Sequence, residues 1–279
     1  MTSPRNLSLG VAATVFGVLI TLLLQNIPNP KKINQILQFL QLLFCTINQL
    51  CSVLIIGHSS INCSLTAVIE FGCYFLFLTF MESVLFYRGL MFTKYKKTLL
   101  CVIFTLWASR IALGIYQLTT IYSVSIENEY CNFMADFSIA GHQLWLQIVT
   151  EVILLIPFLE KMSELMRLLK IDSQTAAVNT RKLMFVTVHN IGCTLLVIIS
   201  QFVCSYVTGL PGIFPYLSMV FGVTNLSQSV AVLNAMEVMS TQLVAIFRNT
   251  GSVATSGKSN TSKVVKTEKV GQKYVSELN

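Results

Sequence analysis

Seven long apolar runs divide the chain, at residues 7–24, 33–56, 62–92, 98–121, 139–159, 183–207 and 213–246. A helix of about 20 apolar residues crosses a hydrocarbon core about 30 Å thick, so each run predicts one membrane span. Polar residues inside the runs are spaced to fall on single helical faces. Gln38, Gln41, Asn48 and Ser52 recur in the second run, and Trp107, Arg110, Gly114 and Gln117 in the fourth. Gln143, Gln147, Thr150 and Glu151 recur in the fifth, Thr187, Asn190, Thr194, Gln201 and Ser205 in the sixth, and Asn225, Gln228, Asn234 and Glu237 in the seventh. Such stripes avoid lipid and predict faces turned toward other helices. The third run carries Cys63, Glu70, Tyr74, Phe77, Met81 and Arg88 on one stripe, with Glu82 also inside it. A carboxylate at mid-bilayer costs at least ~2.5 to 3.5 kcal/mol unless it is sheltered, which places this helix inside the bundle.

Composition agrees with this pattern: 54% of the 279 residues are hydrophobic and 11% charged, with mean hydropathy +0.68, far from the roughly 25% charged residues of soluble domains. The expected class is all-α, a membrane-embedded seven-transmembrane helix bundle over residues 1–250. A basic, Ser/Thr-rich tail over 251–279 has too few large apolar groups to bury a core and is expected to be disordered. The net charge of +7 does not point to nucleic acid, because the bases lie between the runs. Of the 19 Lys and Arg, all but Arg5 and Arg110 fall in or beside the turns after runs 1, 3 and 5 and in the tail. The excess of bases on the cytoplasmic side sets the N-terminus outside and the tail inside. The first run is longer than a signal-peptide core and ends without a small-residue cleavage site, so an uncleaved helix is expected. Sequons at Asn6 and Asn62 fall on the outer side as glycosylation acceptors.

Catalytic chemistry is sparse. His58, His142 and His189 are the only histidines, no lysine lies in the seventh run, and no Cys/His spacing suits a metal. No enzyme activity, cofactor or metal is expected. His189 reads as a packed bundle residue. No internal repeat links the first and last three runs, which argues against a repeat-built transporter.

One constellation remains. Cys63 opens the third run on the outer side, Cys131 lies in the acidic outer loop between runs 4 and 5, and Arg88 closes the third run within Tyr87-Arg88-Gly89. With Trp107 in run 4 and Pro157 in run 5, these residues give the chain a pattern that resembles the rhodopsin-like family of G-protein-coupled receptors. The resemblance in topology covers the chain to Phe247. It departs from the family's motifs in several places: the acid before Arg88 is missing, run 6 has no Cys-Trp-x-Pro, and run 7 has Asn234-Ala-Met-Glu237-Val in place of Asn-Pro-x-x-Tyr. The resemblance implies a Cys63–Cys131 disulfide, and both cysteines lie on the oxidising side while the other six lie within the runs.

The expected function is a plasma-membrane receptor that couples an extracellular or membrane-derived ligand to a heterotrimeric G protein. A transporter or lipid-handling bundle is the alternative, with membrane lipid as a partner in either case. At 1.5 Å per residue, Glu70 lies ~10 Å from the outer edge and Arg110 ~20 Å from the inner edge, so the two are expected to pair, with Glu151 competing. Together with Tyr74, Phe77, Gln117, Gln143, Gln147 and Gln201 they are expected to line an outward-facing ligand cleft. Arg88, Lys94, Lys96, Lys97, Arg167 and Arg181 are expected to form the cytoplasmic coupling face.

Overall fold

The computed structural model describes residues 4–28, 33–57, 62–120, 122–126, 130–134, 137–169, 174–208 and 217–254. In chain order the helices are α1 (Pro4–Gln25), α2 (Ile33–Gly57), α3 (Cys63–Phe92), α4 (Lys96–Thr120), α5 (Phe137–Leu169), α6 (Gln174–Thr208) and α7 (Leu217–Ala254). Helices α1 to α6 are each long and apolar enough to cross a membrane, which makes the chain an integral membrane protein in contact with lipid. Helix α7 is not among those six; its described part carries Thr224, Asn225, Gln228 and Ser229.

Local chemistry sets several of the ends. Asn62 caps α3, its side-chain oxygen accepting from Leu65 N at 3.2 Å, which answers one of the unpaired donors of the first turn. At the other end Thr93 N donates to Gly89 O at 3.1 Å, and Thr93 Oγ1 accepts from Tyr95 N at 3.1 Å. That turn delivers the chain directly into α4. Most of the loop expected over 161–182 is helical instead, since α5 runs on to Leu169 and α6 starts at Gln174. Its Glu, Lys, Met and Leu residues are good helix formers, and Lys161 pairs with Glu164 at 3.2 Å one turn on. Helix α7 likewise runs on to Ala254, beyond the expected end of its run; the remainder of the tail lies outside the described residues.

A β-hairpin adds to the expected all-helical fold. Strands β1 (Tyr122–Ile126) and β2 (Tyr130–Met134) pair antiparallel, from Tyr122 opposite Met134 to Ile126 opposite Tyr130. The hairpin joins α4 to α5 and packs against α2 and α3.

Helix α3 is central, touching α2, α4, α5 and α7, while α1 touches both α2 and α7 and so closes a ring through α5, α6 and α7. Helix α4 stands outside this ring against α3 and α5. The core is formed by buried residues such as Leu19, Leu42, Phe77, Met81, Leu85 and Leu154. Large apolar side chains such as Phe104, Ile115, Phe185 and Phe202 are exposed on the bundle's outside, as a lipid-facing surface requires.

The polar stripes of α2, α5 and α6 face inward as their periodicity predicts: Gln41, Asn48, Gln147, Thr150, Asn190 and Thr194 are buried. The stripe of α7 divides, with Asn225 and Gln228 buried and Asn234 and Glu237 exposed. The latter two follow the former by a step that, at about 100° per residue, rotates them to the opposite face.

Candidate functional site

The charged residues of the bundle interior form three separate groups along α3. Glu70 faces α2: Ser52 Oγ donates to its Oε1, and Asn48 Nδ2 donates to its backbone oxygen at 2.8 Å. Asn225 Nδ2 of α7 in turn donates to Asn48 Oδ1 at 3.4 Å. One end of α2, α3 and α7 is thereby tied by polar contacts around a single carboxylate.

The second group lies about three turns further along α3. Glu82 is fully buried; its Oε1 accepts from Arg110 Nη1 and its Oε2 from Trp107 Nε1 at 2.8 Å. Both carboxylate oxygens are thus used by α4. Arg110 also lies over the Phe75 ring, 5.8 Å from its centroid, a favourable placement for a guanidinium. Trp107 is held edge-on by Phe86 and Phe104, with centroids 5.6 and 5.7 Å away. Glu151 of α5 is buried within electrostatic range of both Glu82 and Arg110. Its Oε1 accepts from Gln147 Nε2 at 2.9 Å. Two acids and one base therefore occupy the junction of α3, α4 and α5.

This corrects the expected Glu70–Arg110 pair: the partner of Arg110 is Glu82. The expected match assumed a core ~30 Å thick, whereas α3 is 30 residues and ~45 Å long, so Glu70 lies ~33 Å from the α3–α4 turn and Arg110 only ~20 Å. Side chains tilt toward the N-terminus of their own helix, and α3 and α4 run in opposite directions, so Glu82 leans toward the end where α3 begins, while Arg110 leans toward the end where α4 begins. Their Cα atoms lie ~15 and ~20 Å from the α3–α4 turn, and the long guanidinium stem closes that gap.

The third group is Arg88, one turn from the end of α3. It is fully buried, with its guanidinium carbon 5.8 Å from the centroid of the Phe158 ring. Among the described residues, Nε, Nη1 and Nη2 have no hydrogen-bond partner. Expected on the cytoplasmic surface, Arg88 is instead enclosed, in a stretch of α3 where Val84, Leu85 and Phe86 are buried as well.

The residues expected to share one cleft are distributed. Phe77 is fully buried in the core. Tyr74 meets Phe221 edge-on at 5.7 Å, and Gln201 Oε1 accepts from Gln228 Nε2 of α7 at 2.8 Å. Gln117 is buried on α4, and Gln143 Nε2 would stand 3.5 Å from a Cβ built on Gly114. Arg110, Gln143 and Gln147 thus gather on the α4–α5 side, away from the Glu70 contacts on α2. Sequence reasoning missed Glu82 and Phe75 as contacts of Arg110, although Glu82 stands out in the same apolar run.

At the basic end, Lys94, Lys96, Lys97 and Arg181 are exposed. The side chains of Arg167, Cys63 and Cys131 lie outside what is described, so the expected disulfide does too. Backbone pairing puts Cys131 opposite Ser125 in the hairpin, which packs against the helix that Cys63 begins. Asn62 is exposed at the α3 cap; Asn6 is exposed in the first turns of α1, where Ser8 of its sequon is buried. His189 sits over Phe185, with centroids 6.2 Å apart, and its Nε2 is 3.6 Å from Cys193 Sγ.

Compared with known proteins, the chain matches no protein-family model and no curated sequence.

Proposed function

We propose that the protein is a seven-span cell-surface receptor, N-terminus outside and tail in the cytoplasm, that passes a ligand-driven rearrangement of the bundle to a heterotrimeric G protein. The observation that carries this reading is Arg88. A buried guanidinium without hydrogen-bond acceptors weakens the fold, so its presence at the basic end is accounted for by a partner that supplies those acceptors once the end opens. Cytosolic acceptors would reach Arg88 between the inner ends of α3, α5 and α6, beside Lys94, Lys96, Lys97, Arg167 and Arg181.

At the other end, the hairpin against α2 and α3 supports an outer vestibule, closed by a Cys63–Cys131 bridge and flanked by the sequons at Asn6 and Asn62. Ligand contact falls to the inward polar positions: Glu70 and Tyr74 on one side, and Arg110, Gln117, Gln143 and Gln147 on the other. Phe77 lies between them, and Gln201 is linked to α7.

The test is nucleotide exchange on a panel of Gα subunits by the intact protein in nanodiscs. Exchange above that of empty nanodiscs, lost in Arg88→Ala at equal folded protein, supports the reading; no exchange with any Gα overturns it. The surplus acid of the Glu82–Arg110–Glu151 group favours a second reading, a cation-coupled carrier. Uptake of cations or protons into proteoliposomes, abolished by Glu151→Gln, would favour it over the first.

A further inference from the structure

Where α3 turns into α4, a groove of about 170 Å³ opens on the outside of the bundle between α4 and α5. Its walls are Thr98 and Val102 of α4, Ile153, Ile156 and Pro157 of α5, and Tyr95 of the turn. A single water takes about 10 to 15 Å³ on this scale, so the groove has room for several methylene groups. It runs along the helices from Tyr95 and Glu160 toward Val102 and Ile153, a depth of ~10 Å at 1.5 Å per residue. The shallow end lies at the start of α4, at the boundary between water and hydrocarbon; the deep end lies within the apolar spans.

The mouth is charged. Lys94, Lys96 and Lys97 alternate in sequence with the lining residues Thr93, Tyr95 and Thr98, and all three lysines are exposed. Lys161 stands on the facing helix, where Glu164 accepts from it at 3.2 Å and lies 3.8 Å from Lys94. Glu160 lines the groove as well. Four lysines and two glutamates thus lie at this end of the groove, a surplus of positive charge beside an apolar slot.

We infer that this groove is a binding site for a single anionic phospholipid of the leaflet at the basic end. One acyl chain lies along Val102, Ile153 and Ile156, and the headgroup phosphate lies among Lys94, Lys96 and Lys97, with the Tyr95 and Thr98 hydroxyls as donors. Charge alone would concentrate anionic lipid around the whole basic end. The slot adds what a diffuse field lacks, a fixed place for one chain beneath the charged mouth.

The test uses the intact protein in nanodiscs of phosphatidylcholine mixed with phosphatidylserine, extracted gently, with retained lipid counted by native mass spectrometry. Wild type is expected to retain one phosphatidylserine in preference to phosphatidylcholine. The lipid-exposed substitution Ile156→Trp fills the slot while leaving every lysine in place, and it is expected to abolish the preference. Lys94→Gln, Lys96→Gln and Lys97→Gln are each expected to lower it by about fivefold. If Ile156→Trp retains the lipid as wild type does, charge acts without the groove and the proposal fails. It fails equally if the triple lysine variant keeps the preference, or if wild type shows none. Circular dichroism and elution volume unchanged from wild type confirm that each variant is folded.

Discussion

Separating Glu82 from Arg110 should expose how much of the bundle depends on one buried pair. Glu82→Gln keeps the shape of the side chain and one acceptor for Trp107, but removes the charge that answers Arg110 (4% side-chain exposure). Arginine cannot lose its proton, so the charge remains. Removing one partner of a buried pair costs about 3 to 5 kcal/mol, against about 1 kcal/mol for an ordinary hydrogen bond. Glu151 stands close enough to take over in part, which places the expected loss near 3 kcal/mol. The double variant Glu82→Met with Arg110→Met removes both charges and refills the volume, and is expected to lie within about 1 kcal/mol of wild type. Glu70→Gln, whose carboxylate has Ser52 rather than an arginine, should lose only about 1 kcal/mol. Reversible unfolding in bicelles, followed by steric trapping, gives each value, and the double-mutant cycle isolates the coupling. Additive single and double losses, or a larger loss in Glu70→Gln than in Glu82→Gln, would refute the assignment of Arg110 to Glu82.

Arg88→Met should raise thermal stability in detergent, by about 1 to 4 kcal/mol where unfolding is reversible, while removing any G-protein exchange; a loss of stability would mean that the guanidinium is better satisfied than its surroundings indicate. Trp107→Phe keeps the ring packing on Phe86 but drops the bond to Glu82 Oε2, and should cost about 1.5 to 3 kcal/mol in the same unfolding assay. Gly222→Ala would bring a Cβ within 2.8 Å of Gln49 Oε1 and displace the side chain that donates to Ala12 O at 3.3 Å. Its expected cost is about 1 kcal/mol, and in a Gln49→Ala background the same substitution should cost nothing further.

The helices were legible because a bilayer leaves no other choice: with no water to bond the backbone, 20 apolar residues in a row must coil. Inward faces were legible for the same reason, since Asn48, Gln147, Asn190 and Gln228 had nowhere else to bond. Two features were not read. The hairpin has a period-two signal in Tyr122-Ser-Val-Ser-Ile126, where apolar residues alternate with serine, but it is short and lies in a loop rich in acids. Partner choice was misread for a geometric reason. Glu70 and Arg110 were placed from opposite faces of a core ~30 Å thick, whereas α3 is 30 residues and ~45 Å long; counted from the shared α3–α4 turn, Glu70 lies ~33 Å away and Arg110 ~20 Å.

The position of α4 shows what the polar groups contribute. Lipid tails are as apolar as Leu, so burying an apolar face against a neighbour yields little net attraction within a bilayer. Helix α4 has neighbours on one side only and exposes Leu100, Val102, Phe104, Ile111 and Ile115 to lipid. Its inward stripe is where specific attraction is available. Gly114 permits a close approach, since a Cβ there would stand 3.1 Å from the Phe75 ring. Arg110 and Trp107, set one turn apart on the same face, reach the two oxygens of one carboxylate. A helix held by such a joint has one preferred rotation and one preferred height against α3, because turning or sliding it by a residue would strand a buried charge. Val102, which lines the groove between α4 and α5, stands on the helix so held, about two turns from Arg110.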